Sequence, residues 1–281
     1  MTEDISMVIE VMAEVYGRSI SDFDISFLKK TITQRLGITG IFQLSGYCEY
    51  LVCHPDEAEL LYSSLFVSFS EFFRNTLTFA MIEHMALPRL IEKKLKSGKT
   101  EIRIWSAGCS AGQESYSLAI LLDDFINSAE TPVSYRIFAT DISDNELKKG
   151  IAGVYDTITV SNVRMKHMKT YFHSGPERVS IIPRLKDQVD FSFYDLLDSN
   201  SASPPGSIFG DFDIIFCSNL FFYYKPESQK LILNKIHQAL SDEGYLASGE
   251  TERAIVLNSG LFTEICRPSA VFRKKPAGVF L

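Results

Sequence analysis

A chain of 281 residues with 46% hydrophobic and 22% charged residues can bury a full core and hold more than one structural unit. Its net charge of −7 excludes a broad nucleic-acid-binding face, which needs a basic surface. No apolar run approaches the ~20 residues of a membrane span, and the acidic start Met1-Thr-Glu-Asp4 lacks a signal-peptide pattern, so a cytoplasmic protein without membrane insertion is expected.

The first 96 or so residues read as helical. Ile5, Val8, Ile9, Met12 and Val15 repeat at a spacing of three to four, which predicts an amphipathic helix. A second is predicted over Phe27, Leu28, Ile32 and Leu36, starting after Ser21-Asp-Phe-Asp24 and ending at Gly37. A third runs near Leu44 to Val52. The fourth opens at His54-Pro55-Asp56 with proline in its first turn and continues through Leu60, Leu61, Leu65 and Phe66. Thr78 to Leu95 is a longer helical segment that Pro88 should kink or split. Ser97-Gly98-Lys99-Thr100 then makes a turn.

From Glu101 the pattern alternates. Strands are expected at 102–106, 135–140, 189–194, 212–217, 243–248 and 270–274, and helices at 113–126, 143–150 and 227–240. Strands separated by helices predict an α/β domain with a mostly parallel sheet and right-handed crossovers. Residues 151–188 are too long for a simple connection. They hold a predicted helix from Asn162 to Phe172, a turn at Ser174-Gly-Pro-Glu177 and a strand-like run at Val179-Ser-Ile-Ile-Pro183, and read as an inserted subdomain. The five cysteines read as small buried hydrophobes. The histidines (54, 84, 167, 173 and 237) show no metal-ligand spacing, so no metal site is expected.

The segment Ile102 to Ser117 carries the most chemistry. An apolar strand ends in Gly108-Cys-Ser-Ala-Gly112 and opens directly into a helix, which brings backbone N–H groups close to a nucleotide-like ligand. The next strand ends in Asp141, placed to accept from both hydroxyls of a ribose. NAD, FAD and S-adenosylmethionine sites share these features. The wide Gly108/Gly112 spacing suits a pyrophosphate less well than Gly-x-Gly-x-x-Gly does. Glu114 would repel phosphates and attract the ammonium of a methionine moiety, although a helix N-terminus also favours glutamate for its dipole. The balance favours S-adenosylmethionine.

Five segments give the chain a resemblance to a known family. They are Ser68-Phe-Ser-Glu-Phe-Phe-Arg74, Trp105 to Ser117, Phe138-Ala-Thr-Asp-Ile142, Phe193-Tyr-Asp-Leu-Leu197 and Phe212-Asp-Ile-Ile-Phe-Cys-Ser-Asn-Leu-Phe-Phe-Tyr-Tyr224. In this order and at these intervals, over roughly residues 20 to 275, the chain resembles the CheR-type chemotaxis receptor methyltransferases. The resemblance implies S-adenosylmethionine-dependent methylation of glutamate side chains on chemoreceptors. It implies a helical N-terminal domain (1–75), a linker helix region (76–98) and a Rossmann-like methyltransferase domain (99–281) with a small β-subdomain inserted at about 152–188. In some members the insertion docks a peptide from the receptor C-terminus, and the N-terminal domain faces the receptor's cytoplasmic helices.

By the same resemblance Ser68, Ser70 and Arg74 close over the cofactor's methionine end. Glu114 meets its amino group, Asp141 the ribose and Asp195 with Leu196 the adenine. Ser218 and Asn219 lie under the cofactor, and Tyr223 lies near the transferring methyl. Arg74 and Tyr223 are the catalytic candidates; the cofactor candidates are Ser68, Ser70, Arg74, Gly108, Glu114, Asp141, Asp195, Leu196, Ser218 and Asn219. The sequence departs from the family pattern at Ser68, Ser70, Gln113, Ser115, Asp195 and Ser218, where asparagine, threonine, glutamate, proline, asparagine and arginine are usual. The last change removes a positive charge on the substrate side. By the residue types alone, Arg74 could instead pair with Glu71, and Tyr223 could be core.

The implied chemistry needs no general base. A glutamate side chain, with an unperturbed pKa near 4.3, is ionised at neutral pH and attacks in line. Positioning and removal of its water shell are the tasks left to the protein. The resemblance implies a basic second helix facing an acidic receptor. Residues 1–98 carry nine Lys/Arg against thirteen Asp/Glu, and only Lys29, Lys30 and Arg35 mark that helix, as a weak receptor-facing patch or as an ordinary solvated face.

Overall fold

The computed structural model describes residues 3–207 and 210–276. The chain divides into two compact units, one of Met1–Val67 with Phe222–Gln229 and one of Ser68–Phe221 with Lys230–Leu281.

The first unit is built from α1 (Glu3–Tyr16), α2 (Ile25–Thr39), α3 (Leu44–Cys53) and α4 (Pro55–Ser64). Asp24 caps α2 by accepting from the backbone N–H groups of Ser26 and Phe27 at 2.9 and 3.1 Å, satisfying two donors that the first turn leaves open. α2 does not stop at Gly37. It continues to Thr39 and closes on Gly40, whose left-handed φ of 73° lets its N–H reach the Leu36 carbonyl. Val8, Met12, Leu28, Ile32, Tyr47, Leu51 and Leu61 form the core of this unit, and Tyr223 and Tyr224 pack against it.

Arg35 is not available to a receptor surface. Its guanidinium forks onto Glu57 at 2.9 and 2.5 Å, the Tyr47 hydroxyl donates to the same carboxylate at 2.7 Å, and the pair is largely buried. The arginine and tyrosine hydrogen bonds hold Glu57 below the usual carboxylate range against the effect of burial. Lys29 is half-buried and Lys30 exposed, so the expected basic face shrinks to these two.

The second unit starts with α5 (Thr76–Met81), a π-helical turn at Ile82–Ala86 and α6 (Leu87–Ser97). Pro88 sits near the start of α6, and the helical backbone runs on through the π turn before it, which accommodates the missing N–H, so the segment is bulged and not split. There follow β1 (Glu101–Ala107), α7 (Gln113–Ser128), β2 (Ser134–Asp141), α8 (Asp144–Ala152), β3 (Val154–Asp156), α9 (Met165–Tyr171), β4 (Phe172–Ser174), β5 (Arg178–Ile181), α10 (Pro183–Lys186) and β6 (Val189–Phe193). The unit continues with β7 (Phe212–Phe216), α11 (Pro226–Ala239, counted here from Lys230 on), β8 (Leu240–Ala247), α12 (Arg253–Asn258), β9 (Phe262–Glu264) and β10 (Val271–Lys274).

The main sheet has the order β6-β2-β1-β7-β8-β10-β9. Its first five strands run parallel, and β10 pairs antiparallel with both β8 and β9. This is the Rossmann-like α/β architecture expected. The inner strands are mostly apolar on both faces because helices cover both; all of Phe212–Phe216 is buried, Asp213 included. The interval 151–188 forms a separate antiparallel sheet of order β3-β5-β4, with α9 before β4. Of its strands only β5 was expected. β3, β4 and also β9 span three residues each, too short to show a period.

Candidate functional site

In a parallel sheet every strand delivers its following loop to the same end, and ligands bind there. The loop after β1 is turned by Gly108, Ser110 and Gly112, with φ of 69°, 50° and 85°. Glycine is required at 112 on two grounds: the positive φ, and a Cβ that would stand 2.7 Å from the Phe191 ring. The loop is tied across to β2. Cys109 N–H donates to the Thr140 carbonyl at 2.9 Å and Ser110 N–H to the Asp141 carboxylate at 2.8 Å. The other Asp141 oxygen accepts from Ser143 N–H at 2.9 Å. Burial pushes the Asp141 carboxyl up, with these N–H groups opposing it.

Glu114 lies in the first turn of α7 and is only 6% exposed. Its Oε1 is buried with no hydrogen-bond partner, and so is the Ser70 hydroxyl. Burial pushes the Glu114 carboxyl up to about 8, the Arg74 guanidinium pulls the other way, and Glu252 adds to the rise. A buried carboxylate oxygen with nothing to accept from is costly, and a cationic donor would remove the cost. These acceptors therefore fit a ligand that donates from an ammonium at Glu114 and from hydroxyls at Asp141.

The segment 68–75 brings Ser70 and Arg74 into this unit, while Ser68 is exposed. Arg74 donates from Nη1 to the Phe69 carbonyl at 3.0 Å, and its guanidinium lies 5.2 Å from the centre of the Phe69 ring. Among the described residues no ion pair within 4 Å joins Arg74 to Glu71 or any other carboxylate, so the pairing alternative is not what holds it. Phe73 takes φ of 52° and donates its N–H to the Ser117 hydroxyl at 3.0 Å, anchoring the segment to α7.

After β6, Asp195 is half-buried and accepts from Leu197 N–H at 2.8 Å; Leu196 is buried. Tyr194 N–H donates to the Asp141 carbonyl at 3.1 Å and joins this loop to the previous one. After β7, Ser218 is buried and Asn219 takes φ of 58°. Tyr223 belongs to the helical unit, where its ring lies 4.8 Å from that of Phe27.

Two residues were missed. Asn75 donates to the Ser218 hydroxyl at 2.9 Å, linking the Arg74 segment to the end of β7. Glu252 is fully buried and accepts from four backbone N–H groups, those of Asn219, Leu220, Phe221 and Gly249, at 2.6 to 3.0 Å. Burial raises its carboxyl, and the N–H groups hold it back. The signal for Glu252 was its place three residues after Gly249 at a strand end, a spacing that lets a carboxylate turn back onto the chain.

Residues 68–268 match the family described as CheR methyltransferase, SAM binding domain. The chain is 33% identical over 221 residues to Chemotaxis protein methyltransferase 1 of Pseudomonas aeruginosa, covering 77% of each. It is 29% identical to the chemotaxis protein methyltransferase of Escherichia coli, covering 84% of this chain and 79% of that one. It is 27% identical to that of Borreliella burgdorferi over 89% and 88%. With the parallel sheet, the loop after β1 and the acids at its strand ends, these matches place the chain in the CheR family of S-adenosylmethionine-dependent methyltransferases.

Proposed function

We propose that the protein methylates glutamate side-chain carboxylates on the cytoplasmic helices of chemoreceptors, acting in the cytoplasm during chemotactic adaptation. Glu114 carries this reading, because a buried carboxylate oxygen without a partner suits the methionine ammonium and would repel a pyrophosphate. When bound, S-adenosylmethionine supplies an electrophilic sulfonium methyl. Asp141 is assigned to the ribose hydroxyls, Asp195 and Leu196 to the adenine, and Gly108 to close backbone approach. Ser68 and Ser70 are assigned to the methionine end, and Ser218 and Asn219 to the floor under the cofactor. Tyr223 is assigned to the acceptor side. The proposed organisation is a helical receptor-facing domain over 1–75, a linker over 76–98 and the catalytic domain over 99–281 with its insertion at about 152–188.

Arg74 is half-buried, and its hold on the Phe69 carbonyl uses one donor of five, leaving others to orient an incoming carboxylate. A tight clamp would lower the carboxylate's nucleophilicity, so positioning is its task. The acceptor arrives ionised, and no side chain is needed to remove a proton.

The test uses labelled S-adenosylmethionine and receptor-containing membranes. Base-labile methyl groups are expected on the receptor, and Arg74→Ala should cut the rate about 100-fold while product affinity stays within tenfold. Incorporation that resists mild base would reject carboxyl methylation, and a near-normal Arg74→Ala rate would reject the role of Arg74.

A further inference from the structure

Both sides of the cofactor site hang from the inserted subdomain. Tyr155, on β3, is buried and donates its hydroxyl to the Ala111 carbonyl at 2.7 Å, inside the loop after β1. Four residues on, the Thr159 carbonyl takes the N–H of Phe72 at 3.2 Å, next to Phe73 and Arg74. The Phe72 ring stands edge-on to Tyr155 and Phe172, with centroids 5.0 and 5.3 Å away. The His167 ring of α9 lies 6.0 Å from that of Phe73.

These contacts fall where the backbone needs outside support. Ser110 and Phe73 are non-glycine residues with positive φ, a conformation that persists only when the surroundings hold it. The subdomain fastens the residue after the first and the residue before the second.

We infer that Tyr155 is a positioning residue for the cofactor site, and that through it the inserted subdomain and the site are energetically coupled. Tyr155 touches neither cofactor nor acceptor in this scheme; it fixes the Ala111 peptide and so the turn into α7 that carries Glu114. Coupling is reciprocal, so ligand at the loop must also steady the subdomain. Burial keeps the Tyr155 hydroxyl protonated and a donor at any working pH. The inference rests on the loop after β1 being the cofactor site.

The experiment measures S-adenosylhomocysteine affinity by calorimetry and amide hydrogen exchange on the full chain. Tyr155→Phe should weaken affinity about five- to tenfold, the loss of one buried hydrogen bond, and speed exchange at 109–113 in the ligand-free protein. Tyr116→Phe is the control. It removes an equally buried hydroxyl, bonded to the Gly150 carbonyl at 2.9 Å, and should leave affinity within twofold. In the unaltered protein, ligand should slow exchange at 154–160. Unchanged affinity in Tyr155→Phe, an equal loss in Tyr116→Phe, or no protection at 154–160 would each overturn the inference. Failure of the unaltered protein to bind would instead overturn the cofactor assignment.

Discussion

Replacing Glu114 by glutamine tests the site through two linked titrations. The Glu114 carboxyl stands at about 8 in the folded protein against an ordinary 4.5, chiefly because it is buried. Between those values the folded state keeps a proton that the unfolded chain has lost, so the ligand-free protein loses stability as pH rises. The slope is about 1.4 kcal/mol per pH unit, and across the window it sums to about 5 kcal/mol. Below pH 4.5 both states are protonated and the term vanishes. Glu114→Gln removes the titration. Urea denaturation from pH 5 to 8 should show the natural protein weakening relative to the variant, which gains about 3 kcal/mol on it at pH 7.

Binding should run the other way. An ammonium at Glu114 demands the ionised carboxylate, so below pH 8 binding must expel its proton. Affinity for S-adenosylhomocysteine should then rise up to tenfold per pH unit from 6 to 8 and level off above. Calorimetry at pH 7 in buffers of different ionisation enthalpy should count about one proton released. In Glu114→Gln the release should vanish and affinity at pH 8 should fall about 30- to 100-fold, the worth of a charge-assisted hydrogen bond. Affinity independent of pH, with no proton released, would refute the placement of the ammonium at Glu114.

Two further outcomes follow from charge. Lys94 Nζ and Asp213 lie 2.7 Å apart, both almost fully buried, and burial still raises the Asp213 carboxyl despite the ammonium. Asp213→Asn should therefore cost about 3–5 kcal/mol in urea denaturation by stranding Lys94, and adding Lys94→Met should recover most of it. Reversing Lys29 and Lys30 to glutamate should slow receptor methylation about three- to tenfold at low salt, less at high salt, with S-adenosylhomocysteine affinity unchanged. Equal rates at low salt would remove α2 from the receptor-facing surface.

What the sequence shows well is what repeats. The strands at 102–106, 135–140 and 212–217 are legible because burial on both faces makes them largely apolar, interrupted only by Arg103, Ser106, Arg136, Thr140 and Asp213. The acids at strand ends are legible because a parallel sheet fixes which end they occupy. Elements of three residues have no period to read. The stop of α2 was misplaced because Gly37 is exposed with open space around it, so the helix runs on to the glycine that a left-handed turn requires. Arg35 was misread for a different reason. Its partner Glu57 is 22 residues away on another helix, and only tertiary structure shows that the charge is already used.

Glu252 shows what lay beyond the motifs. Four N–H groups converge on it, and three belong to the chain just after β7, where Asn219 takes its positive φ. A carboxylate at the end of one strand thus shapes the loop after its neighbour. The cost of burying it appears in the raised carboxyls of both Glu252 and Glu114. Glu252 and the partly buried Asp141, joined by Glu114 once it ionises, would give the proposed site a negative field that favours a sulfonium and an ammonium and opposes an acidic acceptor. Ser218 replaces the arginine usual in the family and is held by a neutral contact with Asn75. Arg74 is the cation that acts on Glu114. The bound cofactor would bring the positive charge of its sulfonium to this site, so the acceptor carboxylate should bind more weakly to the free protein than to the loaded one.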